Sequence, residues 1–104
     1  MTFYAKKKDS NTDDIMLAIL ESGWSYLDTH DYGRGFPDCI AYKTFGKTHL
    51  PICVLIEIKT ETGKLTKAEK IFQERHPDIV HICRGEDDVK NLLDRYDNAL
   101  RGVR

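Results

Sequence analysis

The pattern of apolar and polar positions predicts that the folded part of the chain begins with a helix. Residues 15–22 (IMLAILES) are mostly apolar, and Thr12, Asp13 and Asp14 before them supply N-cap and first-turn chemistry. Gly23 follows the apolar run and is expected to end the helix.

Three strands are predicted next. Residues 24–29 (WSYLDT) alternate between large apolar and small or polar side chains, as a half-buried strand does. Residues 38–44 (DCIAYKT) form a second predicted strand after a glycine-containing loop. Residues 52–60 (ICVLIEIKT) are the densest in β-branched side chains, so we expect this third strand at the centre of the sheet.

A second helix, a short strand and a third helix complete the prediction. Thr66 with Glu69 three positions later is a capping-box pattern, and an apolar stripe is formed by Leu65, Ala68, Ile71 and Phe72. Residues 78–83 predict a strand, and a helix from about Glu86 carries apolar residues at helical spacing: Val89, Leu92, Leu93, Tyr96 and Leu100. The order α-β-β-β-α-β-α predicts an α/β fold with a mixed central sheet flanked by helices.

The length limits the number of domains. With 104 residues and 40% hydrophobic content, the chain suffices for one ordinary core. We expect a flexible basic N-terminal arm over residues 1–11, which contains three consecutive lysines, and a single domain over residues 12–104. No apolar run is long enough to span a bilayer and no secretory signal is recognisable, which predicts a cytoplasmic protein that does not bind membranes.

Charge and cysteine content add little on their own. The net charge of −1 does not indicate nucleic-acid binding, and the segment that contains Lys59, Lys64, Lys67 and Lys70 also fits an ordinary solvated face. The three cysteines, Cys39, Cys53 and Cys83, lie in aliphatic runs and are expected to be reduced thiols of the core. The four histidines show no spacing typical of metal ligands.

Candidate chemistry begins with Glu57 and Lys59 on the third strand. Because side chains alternate along a strand, these two residues share one face, roughly 6–7 Å apart. A half-exposed ion pair also explains this spacing. Glu57 lies in the most apolar strand, however, where a charge is costly unless it meets a partner or an ion.

A second acid, Asp38, directly follows Pro37 at the start of the preceding strand, although simple turn chemistry also explains this dipeptide. If the two strands pair, Asp38 and Glu57 converge, and a cation between them relieves their repulsion. Relief of that repulsion also predicts that Asp38→Ala stabilises the metal-free protein slightly. An all-oxygen site suits Mg²⁺ or Mn²⁺, and Lys59 beside it can hold or deprotonate a water or stabilise charge on a phosphate.

Three short motifs follow one another along the chain: Gly35-Phe36-Pro37-Asp38, then Glu57-Ile58-Lys59, then Gly63-Lys64-Leu65-Thr66 at the start of a helix. In this order they resemble the VRR-NUC (virus-type replication-repair nuclease) family of the PD-(D/E)XK nuclease superfamily. The resemblance extends over nearly the whole chain and implies a restriction-endonuclease-like fold. It implies that Asp38, Glu57 and the main-chain carbonyl of Ile58 bind the metal, and that Lys59 is the catalytic lysine.

The resemblance also implies an acid on the first helix. Asp13 is the best candidate for a metal ligand, Asp14 lies close behind it, and Glu21 is weaker because it lies at the far end of the helix. Favourable charge at a helix N-terminus explains Asp13 and Asp14 equally well. Family members often carry glutamine where this chain has Glu69, which is expected here to be only the capping-box acid; Gln73, one turn on, is expected to be a surface residue.

These residues predict a DNA endonuclease that depends on Mg²⁺ or Mn²⁺. The resemblance further implies a homodimer that is specific for branched DNA such as the four-way Holliday junction. Two alternatives belong to other classes: a DNA-binding or interaction module that has the nuclease fold but no useful turnover, and a small adaptor or toxin-inhibitor protein.

Overall fold

Three helices and four strands make up the α/β structure, a computed structural model that describes residues 10–46 and 49–101. The elements are α1 (Thr12–Glu21), β1 (Ser25–Asp28), β2 (Cys39–Phe45), β3 (Leu50–Ile58), α2 (Lys67–Arg75), β4 (Val80–Cys83) and α3 (Glu86–Leu100). A short 3-10 helix, His30–Tyr32, lies between β1 and β2 and was not predicted. The predicted mixed α/β class is confirmed, whereas residues 1–9 of the predicted arm lie outside the described residues.

The four strands form one mixed sheet in the order β1-β2-β3-β4. The pairs β1/β2 and β2/β3 are antiparallel, and β3/β4 is parallel because α2 provides the crossover between them. As expected, β3 lies inside the sheet, between β2 and β4.

The hydrophobic core lies between one face of the sheet and the helices α1 and α3. Val54, Ile56 and Ile58 of β3 are buried on this face, as strand alternation predicts. The helices contribute further buried residues to the same cluster: Ile15 and Ile19 from α1, and Val89, Leu92 and Leu93 from α3. Leu55, Glu57 and Lys59 therefore point to the opposite face or its end.

Helix α2 has the predicted cap, but the residue that it buries is the acid of that cap. Its capping box is present, since Thr66 Oγ1 accepts from the N–H of Glu69 and Glu69 Oε1 accepts from the N–H of Thr66. The apolar stripe is covered only in part: Ala68 and Ile71 are exposed, Leu65 and Phe72 are half buried, and the only fully buried residue of α2 is Glu69. The reason is that α2 touches the rest of the molecule mainly through its first turns and one phenylalanine, not along an apolar face.

Two smaller predictions also need correction. Cys39 and Cys83 are buried thiols, but Cys53 is exposed because it lies next to Val54 on β3 and so faces away from the core. The N-cap of α1 is Asn11, and Thr12 is the first helical residue.

No helix in the described ranges has the length and apolar character to cross a membrane.

Candidate active site

Asp38 and Glu57 are neighbours across two paired strands. Cys39 is the partner of Ile56 in the antiparallel register, so one further step places Asp38 opposite Glu57. Both acids are buried, with 7% and 2% of their surface exposed. The strand pairing on which the predicted convergence depends is thus present.

Asp38 is held in place from two sides. Its Oδ2 accepts a hydrogen bond of 2.7 Å from the N–H of Ile58. The carboxylate thus takes the place of a main-chain acceptor next to the first residue of β2. Its own carbonyl accepts from the N–H of Thr29, and the hydroxyl of Thr29 donates to the carbonyl of Pro37, each at 2.8 Å. Since N–H and C=O of one strand residue point to the same side, the carbonyl of Ile58 also faces Asp38.

The loop that leads to Asp38 is closely packed against the start of α2. Gly35 has φ +82°, and a Cβ placed there would lie 2.3 Å from the carbonyl oxygen of Ala68. Gly33 also has positive φ, but nothing lies within 4 Å of an added Cβ. The close approach that the glycines predict therefore occurs at Gly35, and α2 is what approaches.

Lys59 forms a buried ion pair with a residue that the sequence did not assign to the site. Its Nζ lies 2.8 Å from Oε1 of Glu69, and the two side chains are only 9% and 3% exposed. The same oxygen accepts the N–H of Thr66 in the capping box. Glu69 therefore acts both as the helix cap and as the partner of Lys59, which corrects the expectation that capping was its whole role.

The side chains of Asn11, before α1, and of Arg84, after β4, fix the edge of the sheet next to Lys59. Asn11 Nδ2 donates to the carbonyls of Lys59 and Arg84, at 3.0 Å each, and so ties the start of α1 to the ends of β3 and β4. Arg84 Nη1 donates to the carbonyls of Thr60 and Gly63, at 2.9 and 2.6 Å. Sequence reasoning missed these contacts because no local pattern indicates pairings across 48 and 73 residues.

Two acids of α1 follow Asn11, which binds this edge of the sheet, and the third lies at the other end of the helix. Asp13 and Asp14 are exposed in the first turn of α1, and Glu21 is exposed at the far end. Within residues 10–46 and 49–101, no group of three or more His, Cys, Asp or Glu side chains is arranged to hold a metal ion. The metal ligands that the resemblance implies include only two acids besides Asp13, namely Asp38 and Glu57. The remaining donor is the main-chain carbonyl of Ile58.

The thiol of Cys39, next to Asp38, is buried. Burial, with a smaller contribution from the negative charge of Asp38, raises the pKa of Cys39 to about 12. The thiolate is the nucleophilic form of cysteine, so Cys39 stays unreactive at neutral pH. The chemistry of this site is therefore that of carboxylates and an amine.

No protein-family model matches the chain, and comparisons with curated proteins and with solved structures also return no match. A function is accordingly inferred from the geometry of Asp38, Glu57, Lys59 and Glu69.

Proposed function

We propose that this protein is a metal-dependent endonuclease that hydrolyses phosphodiester bonds of DNA. The observation that carries the proposal is the placement of two buried acids, Asp38 and Glu57, on paired strands, with the buried Lys59 two residues beyond Glu57. Adjacent buried carboxylates repel each other, and a shared cation is a common way to relieve that repulsion.

The donor atoms at this position fit a small hard cation. Asp38 and Glu57 supply carboxylate oxygens and Ile58 supplies a carbonyl oxygen, which is the ligand chemistry that Mg²⁺ and Mn²⁺ prefer. The hydrogen bond from Ile58 to Asp38 is compatible with this role, since an ionised carboxylate has about four acceptor positions. When bound, such an ion lowers the pKa of a coordinated water and neutralises charge on a phosphate.

Lys59 contributes positive charge beside the acids. Its ammonium group is held by Glu69 at 2.8 Å, so its position is fixed before any substrate binds. A cation placed in advance in a water-poor site is effective at stabilising charge that develops on a phosphate. This contact favours the electrostatic role of Lys59 among the roles that its position allows.

Further support comes from the fold class and from charge around the site. A mixed sheet flanked by helices is the architecture that the resemblance to PD-(D/E)XK nucleases implies. Lys64, Lys67 and Lys70 are exposed on and before α2, next to the buried Glu69. Exposed lysines near a hydrolytic centre supply contacts to phosphates that do not depend on base sequence.

A second candidate function is a DNA-binding or interaction module without useful turnover. It is favoured by one specific observation, the ion pair of Lys59 with Glu69, because a carboxylate at this position competes with a phosphate for the ammonium group. The two candidates differ in turnover, so they are separable by experiment.

The test is to incubate the protein with supercoiled plasmid and with branched DNA in Mg²⁺, Mn²⁺ or EDTA. Cleavage that requires metal and is lost in Lys59→Met supports the nuclease. Binding without cleavage in either metal supports the module. Neither binding nor cleavage contradicts both and leaves the adaptor alternative.

A further inference from the structure

An aromatic groove lies directly beside the loop that carries Asp38. Its volume is about 410 Å³, and it is lined by Tyr32, Gly33, Arg34, Phe36 and Phe72. These residues come from the end of the 3-10 helix, from the loop after it and from α2. The nuclease proposal does not use any of them.

The rings in the groove form a continuous row. The centroids of Tyr32 and Phe36 are 5.1 Å apart, those of Phe36 and Phe72 are 5.3 Å apart, and Phe72 continues to His76 at 4.7 Å. Phe36 and Phe72 are half buried, whereas Tyr32 is 72% exposed. The row thus ends in a large flat ring that the fold itself leaves uncovered, which is typical of a recognition surface.

The groove is fixed relative to the candidate active site. Phe36 precedes Asp38 by two residues, so their Cα atoms are at most roughly 7 Å apart. The close contact of Gly35 with Ala68 and the hydrogen bond from Thr29 to Pro37 hold the intervening loop. A molecule with one part in the groove is therefore held with its next part close to Asp38.

Positive charge accompanies the rings. Arg34 lines the groove, is exposed and adopts φ 56°, a left-handed conformation that is unfavourable for a residue other than glycine. Strained residues that the surroundings hold in place are concentrated at binding sites. Aromatic rings in a groove that an arginine also lines match a nucleotide, which presents a flat base and a phosphate.

We propose that the groove binds an unpaired nucleobase of a DNA strand, adjacent to the phosphodiester that lies at Asp38. The inference deepens the proposed function and rests on it for the identity of the substrate. Bases in an intact duplex are stacked on each other and are not available to a row of aromatic rings. The groove therefore directs the protein to single-stranded or branched DNA, where bases are exposed.

The test separates base stacking from phosphate attraction. Two fluorescein-labelled 12-nucleotide strands of equal charge, one of thymidines and one with stable abasic sugars, are titrated with protein in EDTA, where no cleavage interferes. Stacking on an aromatic ring is worth about 1–3 kcal/mol per base, so we expect the thymidine strand to bind about 5- to 150-fold more tightly. Equal affinity for both strands overturns the proposal.

Variants at two exposed tyrosines provide the matched control. Tyr32→Ala is expected to remove most of the preference for the thymidine strand, and Tyr32→Trp is expected to restore it because the flat ring returns. Tyr42→Ala removes a tyrosine that is 37% exposed on β2 and is expected to change neither affinity. If Tyr32→Ala keeps the same preference for the thymidine strand as Tyr42→Ala, the groove does not bind bases.

Failure of this inference is distinguishable from failure of the nuclease proposal. Metal-dependent cleavage without any preference for bases overturns the groove and leaves the nuclease standing. A Tyr32-dependent preference without cleavage in Mg²⁺ or Mn²⁺ supports the groove and contradicts the nuclease.

Discussion

At the scale of single residues, Asp38 combines a structural hydrogen bond with a proposed chemical role. Asp38→Asn keeps an oxygen that accepts the N–H of Ile58 but loses the charge, whereas Asp38→Ala leaves that buried N–H without its partner. We expect both variants to lose metal-dependent cleavage. Only Asp38→Ala is expected to lose stability as well, by about 1–3 kcal/mol in urea denaturation.

The prediction for the stability of Asp38→Ala differs from the one made from the sequence, where relief of charge repulsion alone would make this variant more stable than the parent. The hydrogen bond to Ile58 opposes that gain, so a variant that unfolds at higher urea than the parent would show that repulsion dominates. Cleavage near the parent rate in Asp38→Asn would remove Asp38 from the metal site.

Glu69 offers a second prediction at this scale. Glu69→Gln retains an acceptor for the N–H of Thr66 but removes the charge that holds Lys59 at 2.8 Å. A displaced lysine is expected to lower kcat by about a hundredfold, the scale of a 1 Å misplacement, with KM for DNA nearly unchanged. Steady-state cleavage kinetics on one oligonucleotide substrate measure both constants.

Thr66→Ala is the control for Glu69→Gln, because it weakens the same capping box without touching Lys59. It is expected to cost about 1 kcal/mol of stability and to leave kcat unchanged. If both variants reduce kcat equally, the role of Glu69 is confined to the stability of α2.

At the scale of secondary-structure elements, the position of α2 depends on a glycine in the preceding loop. Gly33 has φ 67° and ψ −161°, a conformation that is essentially restricted to glycine, so Gly33→Ala introduces backbone strain of about 1–3 kcal/mol but no clash, because nothing lies within 4 Å of its new Cβ. Gly35→Ala adds a clash with the carbonyl of Ala68, so we expect a further loss of about 1–3 kcal/mol. Equal loss of stability in the two variants, measured by urea denaturation, would show that α2 does not press on the loop.

The first turn of α1 carries two acids, one of which is a proposed metal ligand. The proposed metal ligands Asp38 and Glu57 belong to separate strands and come together only in the folded state. Binding of Mn²⁺ is therefore expected to raise the melting temperature of the protein. Asp13→Asn and Asp14→Asn each remove one exposed charge from the same turn, worth about 0.3–1 kcal/mol. Only Asp13→Asn is expected to reduce the shift caused by Mn²⁺; an equal shift in both variants would leave Asp13 as a helix-terminal charge.

The features that the sequence predicted and those that it missed differ in how far apart the residues involved lie along the chain. The strands, the capping box at Thr66 and the facing of Glu57 were predictable because each depends on residues a few positions apart. The contacts of Asn11 with Lys59 and of Lys59 with Glu69 depend on how elements meet in space. Which apolar residues of α2 are covered could not be predicted for the same reason, since periodicity shows that a stripe exists but not whether another element covers it.

At the scale of the whole molecule, we propose that the active species is a homodimer that cleaves four-way junctions. One chain of this size has one proposed site, and coordinated cutting of two strands needs two sites in a fixed relation, which a twofold dimer supplies. With a net charge of −1, one subunit alone is expected to hold DNA weakly, and binding is expected to weaken steeply with salt.

Light scattering at micromolar protein and cleavage of a four-way junction beside a linear duplex of the same sequence test this proposal. A dimer and preferential junction cleavage are the expected results. Monomers alone, together with equal cleavage of both substrates, would contradict the dimer and leave the nuclease proposal intact.

The packing of α1 and α3 on the same face of the sheet has a consequence for protein engineering. Residues 25–83 contain all four strands, Asp38, Glu57, Lys59 and Glu69. A fragment of this length would nevertheless expose Val54, Ile56 and Ile58, which the two terminal helices cover. We therefore expect the excised segment to show the circular dichroism of an unfolded chain, and its transplantation into another protein would require substitutes for both helices.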